Sequence, residues 1–148
     1  MTILSQETDK RPMWIRNNTV RLGEFEYRGI TIPYSIMNKD LEPRLPGFLG
    51  FFDGYLVISE EVQDSYRRPQ LIHEYVEYTK SNDKPGRCVA ALKHELKFVS
   101  EEIRSEYLRY RRDYFGRLIE YYRDLRKDAD ELREIRNGYD YLCKLGAS

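Results

Sequence analysis

The stretch Tyr55-Leu56-Val57-Ile58-Ser59 divides the chain into two parts with different sequence patterns. It is a short apolar run introduced by Asp53-Gly54, which predicts a buried β-strand. Upstream of it, alternating residues typical of strands recur, whereas downstream the spacing of the apolar residues becomes helical. We therefore expect an α+β fold, in which a small antiparallel or mixed sheet of about three strands precedes the helices.

The upstream part predicts two further strands, at residues 20–27 and 30–34, joined by Arg28-Gly29 as a hairpin turn. Residues 38–50 carry two prolines and two glycines, which favours a loop. Residues 1–12 show no sustained period and are interpreted as a flexible N-terminal arm. The length of 148 residues is that of one domain, so residues 13–148 are predicted to form a single α+β domain.

This domain is predicted to hold its sheet and one helix within residues 13–86, and a long helical region at 87–145. Pro69 is interpreted as the first residue of the earlier helix, which ends near Ser81. The later helix is predicted to run from residue 87 to a stop at Asn137-Gly138.

An unbroken helix over residues 87–136 would be about 75 Å long at about 1.5 Å per residue, which exceeds the width of a small domain. Two alternative arrangements would fit a helical segment of this length. The helix turns near Tyr114-Phe115-Gly116 to form a hairpin, or it projects as a coiled-coil arm that dimerises.

The earlier helix carries His73-Glu74-Tyr75-Val76-Glu77, in which a histidine and a glutamate are four positions apart. On a helix this spacing places both side chains on one face, where they can bind one metal ion. A catalytic zinc ion takes three protein ligands and a water, with a carboxylate beside that water to accept its proton. His73 and Glu77 are thus candidate ligands and Glu74 a candidate base. The alternative is a solvated helix face, because the apolar residues of this helix lie on its other side.

A third ligand would come from the next helix, where the candidates are Cys88, His94 and Glu95. The apolar stripe of that helix is centred near Leu92, so Glu95 is expected to face inward and His94 to face water. Cys88 lies on the same flank as Glu95 and is expected to line the pocket wall. Two alternatives stay open: Glu95 pairs with a basic residue such as Arg87, and Cys88 is a small buried apolar residue.

Residues 53–95 resemble the core of zincin-type metallopeptidases, in particular the group whose third ligand is a distant glutamate. The resemblance rests on the strand, the connector, the helix bearing His73-Glu74-x-x-Glu77, and Glu95 on a further helix. It implies that His73, Glu77 and Glu95 bind zinc, and that Glu74 polarises the water that attacks a peptide or protein substrate. The protein would then be a metal-dependent hydrolase or its degenerate relative. Glu77 replaces the usual second histidine, which adds negative charge and makes a bound water less acidic.

A second class of function follows from the Tyr/Arg-rich helical region at residues 104–126. Tyrosine and arginine dominate the energetics of protein interfaces, so this region predicts a non-catalytic interaction module that forms a homodimer or binds a helical partner. Nucleic-acid binding is a third and less favoured hypothesis, because acidic residues interrupt the basic ones. The arginines and tyrosines concerned are Arg104, Arg109, Arg111, Arg112, Arg117, Arg123, Arg126, Tyr107, Tyr110, Tyr114, Tyr121 and Tyr122.

The composition of the chain argues against some classes of function and location. Lys+Arg and Asp+Glu are both 25, so the chain has no net positive charge to attract nucleic acid or anionic lipid. Its two cysteines, Cys88 and Cys143, form no disulfide scaffold, which favours a reducing, cytoplasmic location. No segment approaches the roughly 18 consecutive apolar residues of a membrane span, and the N-terminus lacks the apolar run of a signal peptide.

Overall fold

A computed structural model describes residues 9–125 and 128–147, and it shows the α+β class that the sequence predicts. The strands are β1 (Thr19–Tyr27), β2 (Ile30–Met37), β3 (Leu49–Phe52) and β4 (Tyr55–Ser59). The α-helices are α1 (Met13–Asn18), α2 (Asp64–Lys80), α3 (Arg87–Glu95), α4 (Arg104–Asp124) and α5 (Ala129–Ala147). Two short 3-10 helices, Leu96–Phe98 and Glu101–Ile103, connect α3 to α4.

The sheet has four strands in the order β1-β2-β4-β3 and is mixed. β2 and β4 are parallel, whereas β1 and β3 pair antiparallel with their neighbours. β3 is the strand that the sequence did not predict. It has only four residues and directly follows the loop rich in proline and glycine, so no alternation is long enough to identify it.

Both hairpin turns have positive backbone φ angles at their two central residues. Arg28 and Gly29 have φ of 48° and 83°, which confirms the predicted turn between β1 and β2. Asp53 and Gly54 have φ of 53° and 89° between β3 and β4. Two consecutive positive φ angles match the twist of antiparallel strands, which fixes the register of each hairpin.

The chain before β1 is more ordered than predicted. Helix α1 has no counterpart in the predicted elements, and residues 9–12 are attached to the sheet by Arg11. Its guanidinium pairs with Asp9 at 2.6 Å and donates a hydrogen bond to Ser35 Oγ at 2.8 Å. Residues 1–8 of the predicted arm lie outside the described residues.

Helix α2 begins at Asp64, so the prediction that Pro69 starts it was wrong. Proline inside a helix removes one backbone hydrogen bond, and the helix nevertheless continues through Pro69. Arg67 donates hydrogen bonds to the carbonyl oxygens of Val62 at 3.0 Å and Glu60 at 3.2 Å. These bonds attach the first turn of α2 to the chain just before it, so the helix begins ahead of Pro69.

The helical region after residue 87 is a series of helices with breaks. The predicted turn near Tyr114-Phe115-Gly116 and the predicted stop at Asn137-Gly138 were both wrong, because both positions lie inside helices. The first break comes at Val99 and Ser100, which have extended backbone angles. The second lies between Asp124 and Ala129, so that α4 and α5 form the hairpin alternative. Val99 packs into the core beside the sheet, and the helix is interrupted there without any proline or glycine.

Two glycines that suggested helix ends lie inside helices. Gly116 is in the middle of α4, where a Cβ would only touch the ring of Tyr139 at 3.7 Å. Gly138 is in the middle of α5, where a Cβ would lie 2.6 Å from Phe115 and 2.8 Å from Cys88 Sγ. Gly138 therefore allows α5 to approach α3 and α4 closely, and it is not a helix stop.

Helix α2 packs against strands β3 and β4 of the sheet and against helix α3. Leu71 and Ile72 are fully buried in the core formed with the sheet, and the adjacent Gln70 and His73 are also buried. A second core joins α3, α4 and α5 to α1, to β2 and β4, and to the loop before β3. None of the described helices is both long and apolar enough to cross a membrane.

Candidate metal site between helices α2 and α3

His73 and Glu77 lie on one face of α2, as their spacing predicts, and this face is covered by the other helices. His73 is 2% exposed. Its Nε2 is 3.8 Å from Glu77 Oε1 and 3.9 Å from Glu74 Oε2. Both distances are too long for hydrogen bonds, so the ring nitrogen and the two carboxylates surround a common gap.

Glu95 faces the interior, as predicted, and is fully buried. Its Oε1 accepts a hydrogen bond from His73 Nδ1 at 2.8 Å. Arg111 donates from Nε to Oε2 at 2.8 Å and from Nη2 to Oε1 at 3.1 Å, and the Tyr107 hydroxyl also donates to Oε2. Both carboxylate oxygens are therefore already engaged, and Glu95 supports the histidine from the side opposite the gap.

The side chain of α3 that lies beside the gap is Cys88, whereas the sequence-based prediction placed Glu95 there. Its Sγ, a Glu77 oxygen and a His73 ring nitrogen all lie within 4.8 Å of one another. Because Glu95 occupies Nδ1, the nitrogen that faces the other two groups is Nε2. Cys88 and Glu95 are about two turns apart on the same side of α3, so the imidazole ring lies between them with one nitrogen toward each.

The other expectations for α3 have mixed outcomes. His94 lies outside the site, but it is half-buried and its Nε2 is 2.8 Å from the Tyr27 hydroxyl, rather than facing water. Arg87 is not the partner of Glu95. It pairs with Asp130 of α5 at 2.9 Å, and Arg111 takes the place of the basic partner.

Burial and neighbouring groups have opposite effects on the charges of Glu95 and His73. Burial disfavours charge on Glu95, but Arg111 and His73 outweigh it and lower the pKa of Glu95 to about 2. Burial also disfavours a charged His73, but the neighbouring Cys88 thiol and Glu95 carboxylate raise its pKa well above the ordinary value. A metal ion bound at Nε2 would have to displace any proton on that nitrogen.

The two carboxylates beside the gap, Glu74 and Glu77, are partly buried and lie close to other acidic side chains. Burial and the charge of Glu77 raise the pKa of Glu74 to about 8. Burial also raises the pKa of Glu77, and Glu131 adds to that effect. Because the charge of Arg111 is matched by Glu95, a divalent cation would stabilise the ionised forms of Glu74 and Glu77.

The gap is a small cavity of about 50 Å³. It has room for a metal ion and one or a few waters, whereas a typical ligand pocket measures about 300–1,000 Å³. Its other walls come from β3, α4 and α5 and are mainly apolar and aromatic. The side chains that line it, apart from those already named, are Leu49, Tyr78, Tyr114, Phe115, Leu118, Tyr122, Glu134 and Ile135.

The donor set fits zinc better than the hard cations. Zinc takes imidazole nitrogen, carboxylate oxygen and thiolate sulfur at about 2.0–2.3 Å, whereas magnesium and calcium prefer oxygen alone. A tetrahedral ion with those bond lengths holds its ligand atoms roughly 3.3–3.7 Å apart. The 3.8 Å between His73 Nε2 and Glu77 Oε1 is close to that spacing, and the Cys88 sulfur lies within 4.8 Å of both groups.

Comparison of the chain with protein families, with curated proteins and with solved structures gave no match. The assignment of a function therefore rests on the geometry of the site.

The sequence-based prediction weighed Cys88 as a third ligand but chose Glu95, and it missed the groups that hold Glu95. One signal was present: Arg111 follows Tyr107 by one turn on the apolar stripe of α4, where a charged residue implies a buried partner. Gln70, whose Oε1 accepts from Arg111 Nη1 at 3.3 Å, had no such signal.

Proposed function

We propose that the protein binds one zinc ion through His73 Nε2, Glu77 and Cys88, in a zincin-like centre that activates water for hydrolysis. The observation that supports this most directly is the convergence of three different zinc-ligand types within 4.8 Å. A thiolate ligand requires reduced Cys88, which agrees with the cytoplasmic location that the composition predicts.

In this proposal Glu95 is an orienting residue, whereas the sequence and the resemblance suggested a ligand. A histidine that binds a metal usually donates its other N–H to a carboxylate, which fixes the ring and makes the ligand nitrogen more basic. The 2.8 Å hydrogen bond from His73 Nδ1 to Glu95 has that arrangement. Arg111 and Tyr107 in turn fix the carboxylate, so the nitrogen that faces the gap is held in place.

Glu74 is suited to the role of base. It precedes Glu77 by three residues and its Oε2 lies 3.9 Å from His73 Nε2, beside the gap but separate from the three ligands. Two anionic ligands make a zinc-bound water less acidic, so a nearby base is needed to take its proton. The base would then pass that proton to the amine that leaves when a peptide bond is cut.

The cavity limits which substrates can reach the site. A volume of about 50 Å³ accommodates water but no peptide. Hydrolysis of a peptide or protein substrate therefore requires that the side chains from α2 and α4 around the cavity, such as Tyr78 and Leu118, move apart.

Replacing Glu74 with glutamine should separate metal binding from catalysis. We expect Glu74→Gln to retain zinc at the stoichiometry of the unmodified protein, but to hydrolyse an unstructured protein such as casein at least 100-fold more slowly, because a general base contributes about 10²–10⁴-fold. Zinc content and release of peptides measure the two effects. The control is Glu120→Gln, an exposed residue of α4. Equal hydrolysis by Glu74→Gln and the unmodified protein would contradict the role of Glu74.

The interaction module is the second candidate, and the structure gives it less support. Tyr107, Arg111 and Tyr114 are 0%, 1% and 3% exposed, so three residues of the predicted binding surface lie in the core of the chain itself. Homodimerisation remains a prediction that sedimentation equilibrium can test. A dimer with a Kd of about 1 μM would be more than nine-tenths assembled at a protein concentration of about 100 μM. A protein that is still monomeric at that concentration would contradict homodimerisation.

A further inference from the structure

Helix α5 supports the backbone of the candidate ligand Cys88. Glu134 of α5 is 2% exposed. Its Oε2 accepts a hydrogen bond from the backbone N–H of Gly86 at 2.9 Å, and its Oε1 accepts one from the N–H of Cys88 at 3.1 Å. These amides begin α3 and have no partner within that helix, so a carboxylate from another helix satisfies them and interacts favourably with the helix dipole.

Helix α5 also limits where the Cys88 thiol can lie. Gly138 follows Glu134 by one turn, and a Cβ at Gly138 would lie 2.8 Å from Cys88 Sγ. A side chain at this position would therefore displace the sulfur. The backbone and the side chain of Cys88 are thus both fixed by residues of one face of α5.

Ion pairs hold α5 against the first turn of α3. Arg87 Nη2 pairs with Asp130 at 2.9 Å and with Glu131 at 3.4 Å. Arg87 itself is 6% exposed, so these pairs are partly shielded from water. The two helices are connected by these pairs, by Glu134 and by the close approach at Gly138.

We propose that Glu134 is a positioning residue for the Cys88 ligand, so that zinc binding and the docking of α5 on α3 stabilise each other. This inference rests on the zinc site proposed above. The other two ligands, His73 and Glu77, come from α2, whereas Cys88 is the ligand that α3 supplies, at the end of α3 that contacts α5. If docked α5 raises the affinity for zinc, zinc must strengthen the docking of α5 by the same factor, because such coupling is reciprocal.

Glu134→Ala is the direct test, made in a Cys143→Ser background so that Cys88 is the remaining thiol. We expect the affinity for zinc, measured by competition with a chelator, to fall by about 10–100-fold, as is typical for groups that orient a ligand. We expect the thiolate-to-cobalt absorption of the Co²⁺-loaded protein to weaken or shift. In the metal-free protein, a thiol reagent should label Cys88 faster. Glu120→Ala in the same background is the control and should match the parent in all three.

Two further variants keep the test decisive if Glu134→Ala folds poorly. Glu134→Gln retains one accepting oxygen, so its zinc affinity and its labelling rate should lie between those of the parent and Glu134→Ala. Gly138→Ala keeps the Glu134 hydrogen bonds but crowds the sulfur, so it should alter the cobalt absorption. Hydrogen exchange of residues 129–147 should slow when zinc is added to the parent protein.

The outcomes separate the two proposals. An unmodified protein that binds no zinc would overturn the zinc site, whereas the labelling rate of metal-free Glu134→Ala would still show whether Glu134 positions Cys88. A Glu134→Ala protein with parental zinc affinity, cobalt absorption and labelling rate would overturn the positioning role. Zinc binding without any change in hydrogen exchange of α5 would overturn the coupling.

Discussion

Replacing Arg111 with alanine is expected to lower the free energy of unfolding by about 3–5 kcal/mol, because it leaves a buried charge without its partner. Arg111 is 1% exposed and makes two hydrogen bonds to Glu95, which is fully buried. Its guanidinium also lies 5.6 Å and 5.0 Å from the ring centres of Tyr114 and Phe115. Urea denaturation followed by circular dichroism would measure the loss.

Two controls identify the cause of this loss. Arg112 is the half-buried neighbour of Arg111 on α4, and Arg112→Ala should change stability by no more than about 1 kcal/mol. The double variant Glu95→Gln/Arg111→Met buries no unpaired charge, so it should be less destabilised than Arg111→Ala. An Arg111→Ala protein as stable as Arg112→Ala would show that the pair contributes little.

Replacing His73 with alanine is expected to reduce the affinity for zinc by more than about 100-fold, since it removes a ligand rather than a supporting group. Glu95→Gln should cost only about 10–100-fold, because it weakens the support of the ring and leaves the ligands in place. Competition with a chelator and the zinc content of the purified protein would measure both effects.

His94 provides the matched control for this experiment. It is the other histidine of the chain, and it bonds to Tyr27 away from the site, so His94→Ala should bind zinc normally. If Glu95→Gln lost zinc as completely as His73→Ala, Glu95 would be a ligand, as the sequence suggested. Full zinc binding by His73→Ala would reject the site altogether.

The features that could be predicted from the sequence are those set by local spacing. Arg28-Gly29 has the turn chemistry of a hairpin, and the structure confirms that turn. The four-residue spacing of His73 and Glu77 places them on one face of α2. The inward direction of Glu95 followed from its angle to Leu92 around the helix, and that too is confirmed.

The features that could not be predicted depend on contacts between distant segments. Choosing between Cys88 and Glu95 as third ligand requires knowing which way the His73 ring is turned, and Arg111 decides that through Glu95. Glu134 is 46 positions from Cys88 along the chain, so no local pattern links them. The break at Val99 likewise occurs at a residue buried beside the sheet, where no proline or glycine marks it in the sequence.

The dependence of Cys88 on α5 also has a consequence for the order of events on the ribosome. His73, Glu77 and Cys88 all precede α5, so their imidazole, carboxylate and thiol groups are synthesised before Ala129–Ala147. At that stage the amides of Gly86 and Cys88 can bond only to water. If the proposed zinc site forms, we expect a chain without α5 to bind the metal weakly and to retain it only once α5 has packed against the thiol.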